Sequence, residues 1–329
     1  MDINKETEAP RRSGVRLPNF AEAEWFVGVE KPRFAIRFYL SFLLKVEEFH
    51  DAFKDAIYSA DLNGPVKLSY AWMNSLEIFR PQLVVGTKKT SGPFFKIHAI
   101  PDNLPEGPYI ILTTPILGED EASEDTAFKR LDCISTVMAI FLGFTAIRYI
   151  NFQGVINYRS YEINGENIRI RPPNIVEGPN FDRSVWRTVD KFLSSLKDCS
   201  AEENQRVTTS LRFLNNAIRE NNNFSYYWIS IEVLAGGEGK IKMHLGKAYE
   251  MKNQHDVERK FHLKKIKKMR NDFFHHGVDP KISVELGRYL QYIYVDIACS
   301  VLGLKSHKLA DQFLNTVQLN KIFIENVHC

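Results

Sequence analysis

The hydrophobic pattern changes its period several times in the first half of the chain. Across residues 32–60 the apolar positions suggest one long helix, although the alternation at its start fits a strand equally well. Between residues 66 and 114, short apolar runs separated by Gly, Pro and Asp-Asn predict strands. A long apolar stretch over residues 123–149 predicts a buried helix, with Ser123 or Asp125 as its cap.

A hairpin and a break follow this helix. Residues 157–170 predict two strands, with Asn164-Gly165 as the tight turn between them. The Pro pair at residues 172–173 and the Gly-Pro pair at residues 178–179 can continue neither a helix nor a central strand. This segment is therefore the predicted boundary between two domains.

Beyond the boundary, the apolar residues recur almost everywhere at helical spacing. Ser200 and Glu203 form a capping-box pattern, and Gly236-Gly237 ends an aromatic-rich segment. Asp279-Pro280 is the predicted start of a long amphipathic helix. About five main helices are predicted, over residues 182–196, 200–220, 224–235, a basic stretch that ends near residue 277, and the helix after it, with a shorter helix over 240–251.

The predicted fold class is an α+β N-terminal domain followed by an all-α helical bundle. Residues 1–18 are polar and without periodicity, which predicts a disordered N-terminus. Residues 19–175 form the predicted α+β domain, whose role the sequence does not reveal, and residues 176–329 form the helical domain.

Composition and charge narrow the class of protein. The net charge of +3 is too small to indicate nucleic-acid binding by itself. The longest apolar run, residues 133–147, is too short to span a bilayer, and no signal sequence opens the chain. We therefore expect a cytoplasmic protein without a membrane partner. The chain contains no C-x-x-C pair. We therefore expect no disulfide and no structural zinc site among the four cysteines, Cys133, Cys199, Cys299 and Cys329.

Most of the candidate functional residues of this chain lie between residues 258 and 278. It predicts one basic helix, in which Lys or Arg occupies seven of the twelve positions from Arg259 to Arg270. Arg270 falls in the middle of the apolar stripe of this helix, where a cation is costly to bury unless it is paired. Glu232 is the nearest plausible counter-charge. The stripe consists of Leu263, Ile266, Phe273 and Phe274.

Asn271 and His275 stand four residues apart and share one face of the predicted helix. Three lysines, Lys264, Lys267 and Lys268, project on the same side. The pattern therefore places a guanidinium, an amide and an imidazole beside a basic surface.

The motif Arg270-Asn271 with His275 at the end of a helix resembles the signature of the HEPN family (higher eukaryotes and prokaryotes nucleotide-binding). The preceding segments SYYWISIEVLAGG and KIKMHLGKAYEM are similar to those of its Apea-like, abortive-infection branch. The resemblance covers residues 200–304 approximately. It implies a HEPN-type bundle and a metal-independent endoribonuclease in which two copies pack face to face around one composite cleft. The setting that it implies is bacterial defence or toxin activity.

The residue types suit RNA cleavage, because RNA supplies its own nucleophile, the 2′-OH. The resemblance implies that His275 transfers the proton, Arg270 stabilises the transition state and Asn271 positions the reacting groups. His276 lies within the family spacing and is the alternative to His275. RNA is the expected partner, and its backbone is expected to contact Lys264, Lys267, Lys268 and His276. No metal and no cofactor is expected.

Other interpretations of the same residues remain open. The bundle is alternatively an inactive HEPN module that binds a nucleotide, RNA or a partner protein, or a structural module whose basic helix binds an acidic protein. Arg270 alternatively pairs with Glu232 at the edge of the core, His275 complements the helix dipole, and the lysine run is a solvated face. The N-terminal domain is expected to bind a trigger or regulator, present substrate or cover the site.

Overall fold

A computed structural model of the chain describes residues 33–40, 57–58, 65–73, 107–142, 150–157, 163–167, 183–196, 198–219, 223–276 and 282–323. The predicted disordered segment, residues 1–18, lies outside these ranges. The chain divides into two compact units. The first consists of Met1–Tyr58, Gly64–Leu131 and Thr145–Arg183, and the second of Ser59–Asn63, Asp132–Phe144 and Ser184–Cys329.

A six-stranded antiparallel sheet lies in the first unit, with the strand order β2-β3-β4-β1-β5-β6. The strands are β1 (Arg33–Leu40), β2 (Ile57–Tyr58), β3 (Val66–Met73), β4 (Gly107–Ile116), β5 (Ile150–Asn157) and β6 (Ile163–Asn167). β1 pairs with β4 on one side and β5 on the other, and its residues 34–39 are all buried. A mostly apolar run suits such a central strand, and the one charged residue in it, Arg37, is buried with its Nε donating to the Gln153 side-chain oxygen at 3.2 Å.

The position of β1 corrects the expected long helix over residues 32–60. Residues 33–40 pair in the sheet, so the strand alternative for the start of this range is confirmed, and Ile57–Tyr58 form β2, which was not predicted. Residues 41–56 lie outside the described part of the chain. The helix prediction failed here because residues 33–40 pair with β4 and β5 through the backbone, which decides between the two patterns in favour of a strand.

The hairpin predicted over residues 157–170 is wrong in its strands and its turn, because the hairpin in the structure is formed by β5 and β6. The two residues of the predicted turn, Asn164-Gly165, belong to β6, where they pair with Val155 and Gly154. The register follows instead from the pairing of Ile156 with Ile163. The connection falls in residues 158–162, which are outside the described ranges.

Helix α1 (Glu121–Leu142) contributes residues to both units. Asp120 caps it, since its carboxylate accepts a hydrogen bond from the Ser123 backbone N–H at 2.8 Å, and this corrects the expected cap at Ser123 or Asp125. Arg130 on this helix is buried and donates to Thr114 Oγ1 and to the Pro115 carbonyl, both at 2.8 Å. Burial lowers the pKa of Arg130 to about 10.

The rest of the described chain is helical. Between residues 183 and 322 it contains nine helices, six of which have twelve or more residues. They are α2 (Arg183–Ser195), α3 (Ala201–Arg219), α4 (Phe224–Ala235), α5 (Glu238–Tyr249), α6 (Gln254–Lys260), α7 (Leu263–His276), α8 (Val284–Val301), α9 (Leu309–Thr316) and α10 (Leu319–Ile322). None of the helices in the described ranges is long and apolar enough to cross a membrane.

Local capping decides several helix ends. The capping box is confirmed, because the Glu203 carboxylate accepts from the Ser200 backbone N–H at 3.1 Å and the Ser200 hydroxyl oxygen accepts from the Glu203 N–H at 3.3 Å. The predicted end of α4 is also confirmed, since Gly236 adopts a left-handed φ of 76°. α8 begins later than predicted. Ser283 caps it by accepting from the Leu286 N–H at 2.9 Å, while Asp279-Pro280 lies outside the described residues.

α8 forms the centre of the second unit and packs against α4, α5, α9 and α10. Two buried polar links tie it to its neighbours. Tyr294 and Ser210 share a hydrogen bond of 2.6 Å between their hydroxyls, and the Gln291 amide donates to the Tyr227 hydroxyl at 2.6 Å. Because buried polar groups are costly without partners, these links fix the register of α8 against α3 and α4.

A fully buried carboxylate organises the far end of α8. Asp296 accepts hydrogen bonds from the Tyr249 hydroxyl at 2.5 Å and the Ser306 hydroxyl at 2.8 Å. It also accepts from the backbone N–H groups of Leu309 at 3.2 Å and Ala310 at 3.0 Å. One side chain therefore holds α5, α8 and the start of α9 together.

Candidate functional site

The basic stretch forms two helices, which corrects the prediction of one continuous helix. α6 ends at Lys260, Phe261 and His262 form a turn, and His262 takes a left-handed φ of 50° before α7 begins. Phe261 is fully buried, its ring lies 4.6 Å from that of Tyr249, and its carbonyl accepts from the Tyr289 hydroxyl at 3.0 Å. These contacts, which the local sequence does not encode, stabilise the break.

The apolar stripe of α7 leads from the core to the surface. Leu263 and Ile266 are buried, Phe273 is half-buried, and the Phe274 side chain is 47% exposed. Arg270 lies between these two ends and is half-buried. The candidate catalytic residues therefore lie where α7 emerges from the bundle, within reach of solvent.

The guanidinium of Arg270 is held by two neighbours on its own helix. Its Nη1 donates to the Asn271 side-chain oxygen at 3.1 Å, and its Cζ lies 4.9 Å from the centroid of the Phe274 ring. The Phe274 ring is supported in turn by an edge-on contact with Phe273, with centroids 5.0 Å apart. The group is therefore positioned without help from a carboxylate.

The expected pair between Arg270 and Glu232 is not formed. Within the described ranges Arg270 has no acidic side chain within ion-pair distance, and its buried Nε has no hydrogen-bond acceptor. The interpretation of Arg270 as half of an ion pair at the core edge is therefore wrong. The guanidinium keeps donor capacity for a ligand.

Helix geometry gives the positions of Phe274, Asn271 and His275 around α7 relative to Arg270. Relative to Arg270, Phe274, Asn271 and His275 are rotated by about 40°, 100° and 140° around α7. Because the guanidinium contacts both Phe274 and Asn271, it is drawn around the helix toward the face of His275. His275 itself is exposed, and the side chain of His276 lies outside the described part of the structure.

The three lysines of α7 differ in their partners. Lys264 is 82% exposed and lies 3.9 Å from Glu258, while Lys267 is 53% exposed and pairs with Glu238 at 2.5 Å. Lys268 is exposed and has no ion pair with any residue that the structure describes. The positive charge of this face is thus partly offset, and the pair of Lys267 joins α7 to the start of α5.

Sequence reasoning did not select two cations that lie close to this face. The side chains of Arg206 on α3 and Lys240 on α5 both lie beside Gly236, the residue at the end of α4. The glycine-rich segment GGEGK at residues 236–240 is the only local sequence feature at this position. Nothing in the sequence indicates that Arg206, thirty residues earlier, lies beside it.

Neither a metal-binding cluster among the described residues nor a similar protein of known role adds residues to the candidate site. In the ranges that the structure describes, no three His, Cys, Asp or Glu side chains are grouped so that they could hold a metal ion. No family model, curated protein or solved structure matches this chain.

Proposed function

We propose that this chain is a metal-independent endoribonuclease of the HEPN type, with its reactive groups at the end of α7. The observation that carries the proposal is the state of Arg270, whose guanidinium is held against Asn271 and Phe274 but has no acidic partner among the described residues. A planar guanidinium with free donors matches the oxygens of a phosphodiester. The exposed imidazole of His275 supplies a group that can transfer protons near neutral pH.

The reaction uses the nucleophile that RNA carries. The ribose 2′-oxygen attacks the adjacent phosphorus while its proton passes to an imidazole, and the bond from phosphorus to the 5′-oxygen breaks. A second imidazole protonates the leaving 5′-oxygen. Arg270 neutralises the charge that builds up on the non-bridging oxygens. The products are a 2′,3′-cyclic phosphate and a 5′-hydroxyl.

A homodimer would complete this site. One chain contributes a single His275 and a single Arg270, whereas in-line displacement gains from both a base and an acid. Two copies related by a two-fold axis would bring two of each to one cleft. The exposed ring of Phe274 beside Arg270 supports a partner surface at this end of α7, because an apolar side chain there would gain from burial. The setting that we propose is cytoplasmic bacterial defence, with RNA cleavage as the effector activity.

Replacing Phe274 with lysine is expected to weaken this dimer and lower RNA cleavage together. The new ammonium would lie one helical turn from Arg270, so like charges from both copies would face each other across the contact. Sedimentation at micromolar concentration is expected to give a dimer for wild type and a monomer for Phe274→Lys. Leu319→Lys is the matched control, because Leu319 is similarly exposed, at 41%, on α10. Monomeric wild-type protein that cleaves RNA would contradict the shared site.

The activity is tested by incubating purified protein with single-stranded RNA in excess EDTA, beside DNA of the same base sequence. RNA is expected to be cut and DNA to stay intact, because only RNA has the 2′-OH. Loss of cleavage in EDTA, or equal cleavage of DNA, would contradict the proposed chemistry.

A further inference from the structure

Two cationic side chains converge on the turn between α4 and α5. Gly236 and Gly237 in this turn have φ values of 76° and 119°, so the backbone there suits glycine. A Cβ at Gly236 would collide with Nη1 of Arg206 and lie 3.6 Å from Nζ of Lys240. The absence of a side chain at Gly236 therefore makes room for the guanidinium and brings it next to the ammonium.

Neither cation is in ion-pair contact with an acidic side chain in the described part of the chain, although Arg206 lies near enough to Glu203 to help lower the pKa of that carboxyl. Arg206 and Lys240 form no ion pair there, and Nε of Arg206 is buried without an acceptor. Two acidic side chains on the same helices, Glu203 and Glu238, have other partners. Glu203 binds the Ser200 hydroxyl at 2.8 Å, and Glu238 binds Lys267 at 2.5 Å.

A buried histidine lies beside the same turn. His244 bonds to the Ser300 hydroxyl at 3.2 Å and to the backbone carbonyl of Ala235. Burial lowers the pKa of His244, and the nearby charges of Lys247, Arg206 and Lys240 lower it further. The lowered pKa disfavours the charged form of His244, so the positive charge beside the turn is that of Arg206 and Lys240.

Holding these charges together costs free energy. Two like charges close together repel each other, several-fold more strongly near a protein surface than in water. An anion placed between them would convert this repulsion into attraction to both. Arg206 and Lys240 therefore have the arrangement of an anion site, and the guanidinium suits a phosphate oxygen pair.

The turn is connected to the proposed reactive groups. Glu238, two residues before Lys240, is bound to Lys267 of α7. Lys267 precedes Asn271 by one helical turn, a rise of about 6 Å. A strand that passes over the turn can therefore continue along α7 to Arg270 and His275 without leaving this side of the bundle.

We infer that Arg206 and Lys240 form a phosphate-binding site for single-stranded RNA, beyond the bond that is cut. This inference rests on the proposed function for its choice of ligand. Such contacts are independent of base sequence and position the strand so that a neighbouring phosphodiester reaches Arg270. We call these two residues the α4–α5 turn site.

The test measures binding separately from cleavage. A fluorescent single-stranded RNA with 2′-O-methyl riboses has no free nucleophile, so its binding can be followed by anisotropy whether or not the protein is a nuclease. Arg206→Gln with Lys240→Gln is compared with Arg212→Gln and Lys252→Gln, which remove the same charge from exposed positions. Arg212 lies on another face of α3, and Lys252 follows the opposite end of α5, whose length from Lys240 to Tyr249 is roughly 14 Å.

The turn-site variant is expected to bind about ten-fold more weakly in 0.1 M salt, and the control less than about two-fold more weakly. Affinity falls as salt rises, and each phosphate contact with a single strand adds about 0.7 to the steepness of log affinity against log salt. The plot for the turn-site variant should therefore be less steep than that for wild type by about 1.4. Lys240→Gln alone, at an exposed position that does not endanger folding, should show about half of that difference.

Equal affinities and slopes for the turn-site and control variants would overturn the inference, even if wild type cleaves RNA. Displacement of the RNA by polyglutamate at equal charge concentration, with no preference for RNA, would assign the surface to acidic proteins and also overturn it. A turn-site effect in a protein that cleaves no RNA would support the inference and contradict the nuclease.

Discussion

Replacing His275 with alanine is expected to slow RNA cleavage by about 10²- to 10⁴-fold, the range that general acid–base catalysis contributes. Arg270→Ala is expected to cost about 10²- to 10³-fold, because one preorganised donor to the developing charge is lost. The guanidinium is already positioned by Asn271 and Phe274, so little reorganisation accompanies the reaction. Initial rates on a labelled single-stranded RNA under excess substrate measure both effects.

Two exposed residues of the same types provide the controls. His255 lies on α6 and Arg212 on α3, and their alanine variants are expected to cleave at the wild-type rate. Thermal unfolding of all four variants separates lost chemistry from lost fold. A folded His275→Ala protein that cleaves RNA as fast as wild type would remove His275 from the reaction and leave His276 as the remaining candidate in this motif.

Asp296→Ala is expected to lower the free energy of unfolding by about 3 kcal/mol or more, the largest effect on stability among these variants. The substitution leaves four donors without their acceptor inside the second unit, including the hydroxyls of Tyr249 and Ser306. Asp190→Ala, at an exposed position of α2, should change the same quantity by less than about 0.5 kcal/mol. Denaturant unfolding followed by far-UV circular dichroism compares them, and equal midpoints would contradict the assigned role.

The pH dependence of stability offers a second readout of Asp296. Burial raises its pKa above the ordinary value of 3.8, so the folded chain holds this proton more tightly than the unfolded chain. The contribution of Asp296 to the free energy of unfolding therefore falls as pH rises from 3.8 through the folded-state pKa, and is constant above it. Asp296→Ala should lose this dependence.

Local chemistry made some parts of the fold predictable. The end of α4 follows from Gly236, and the start of α3 follows from the reciprocal bonding of Ser200 and Glu203, because both signals act within a few residues. The break at Phe261 and His262 was not predictable. It depends on the ring of Tyr249 and the hydroxyl of Tyr289, which only the tertiary fold brings to that position.

The strands show the same division between local and long-range causes. The Asn164-Gly165 pair is a strong turn signal in isolation, yet β6 takes it into the ladder opposite Gly154 and Val155. Likewise, the alternating apolar residues of β1 precede a longer apolar pattern that suggested a helix. Pairing with β4 and β5 decides in favour of a strand.

The sequence suggested the residues of the candidate site but not their partners. Helical spacing alone placed Asn271 and His275 on one face, with Arg270 beside them. Sequence could not show that Glu232 would leave Arg270 unpaired, or that Glu238 would reach Lys267, because both outcomes depend on how α4, α5 and α7 pack. The meeting of Arg206 with Lys240 has the same origin.

The central claim, that Arg270 and His275 cut RNA through its own 2′-OH, is tested most directly by the chemical nature of the new ends. Fragments made by wild type in excess EDTA are analysed by mass spectrometry beside digests by Arg270→Ala and His275→Ala. The expected result is 2′,3′-cyclic phosphate and 5′-hydroxyl ends with wild type and few or no fragments with either variant. Ends with 5′-phosphate and 3′-hydroxyl, or the same cyclic ends at wild-type yield from both variants, would contradict the claim.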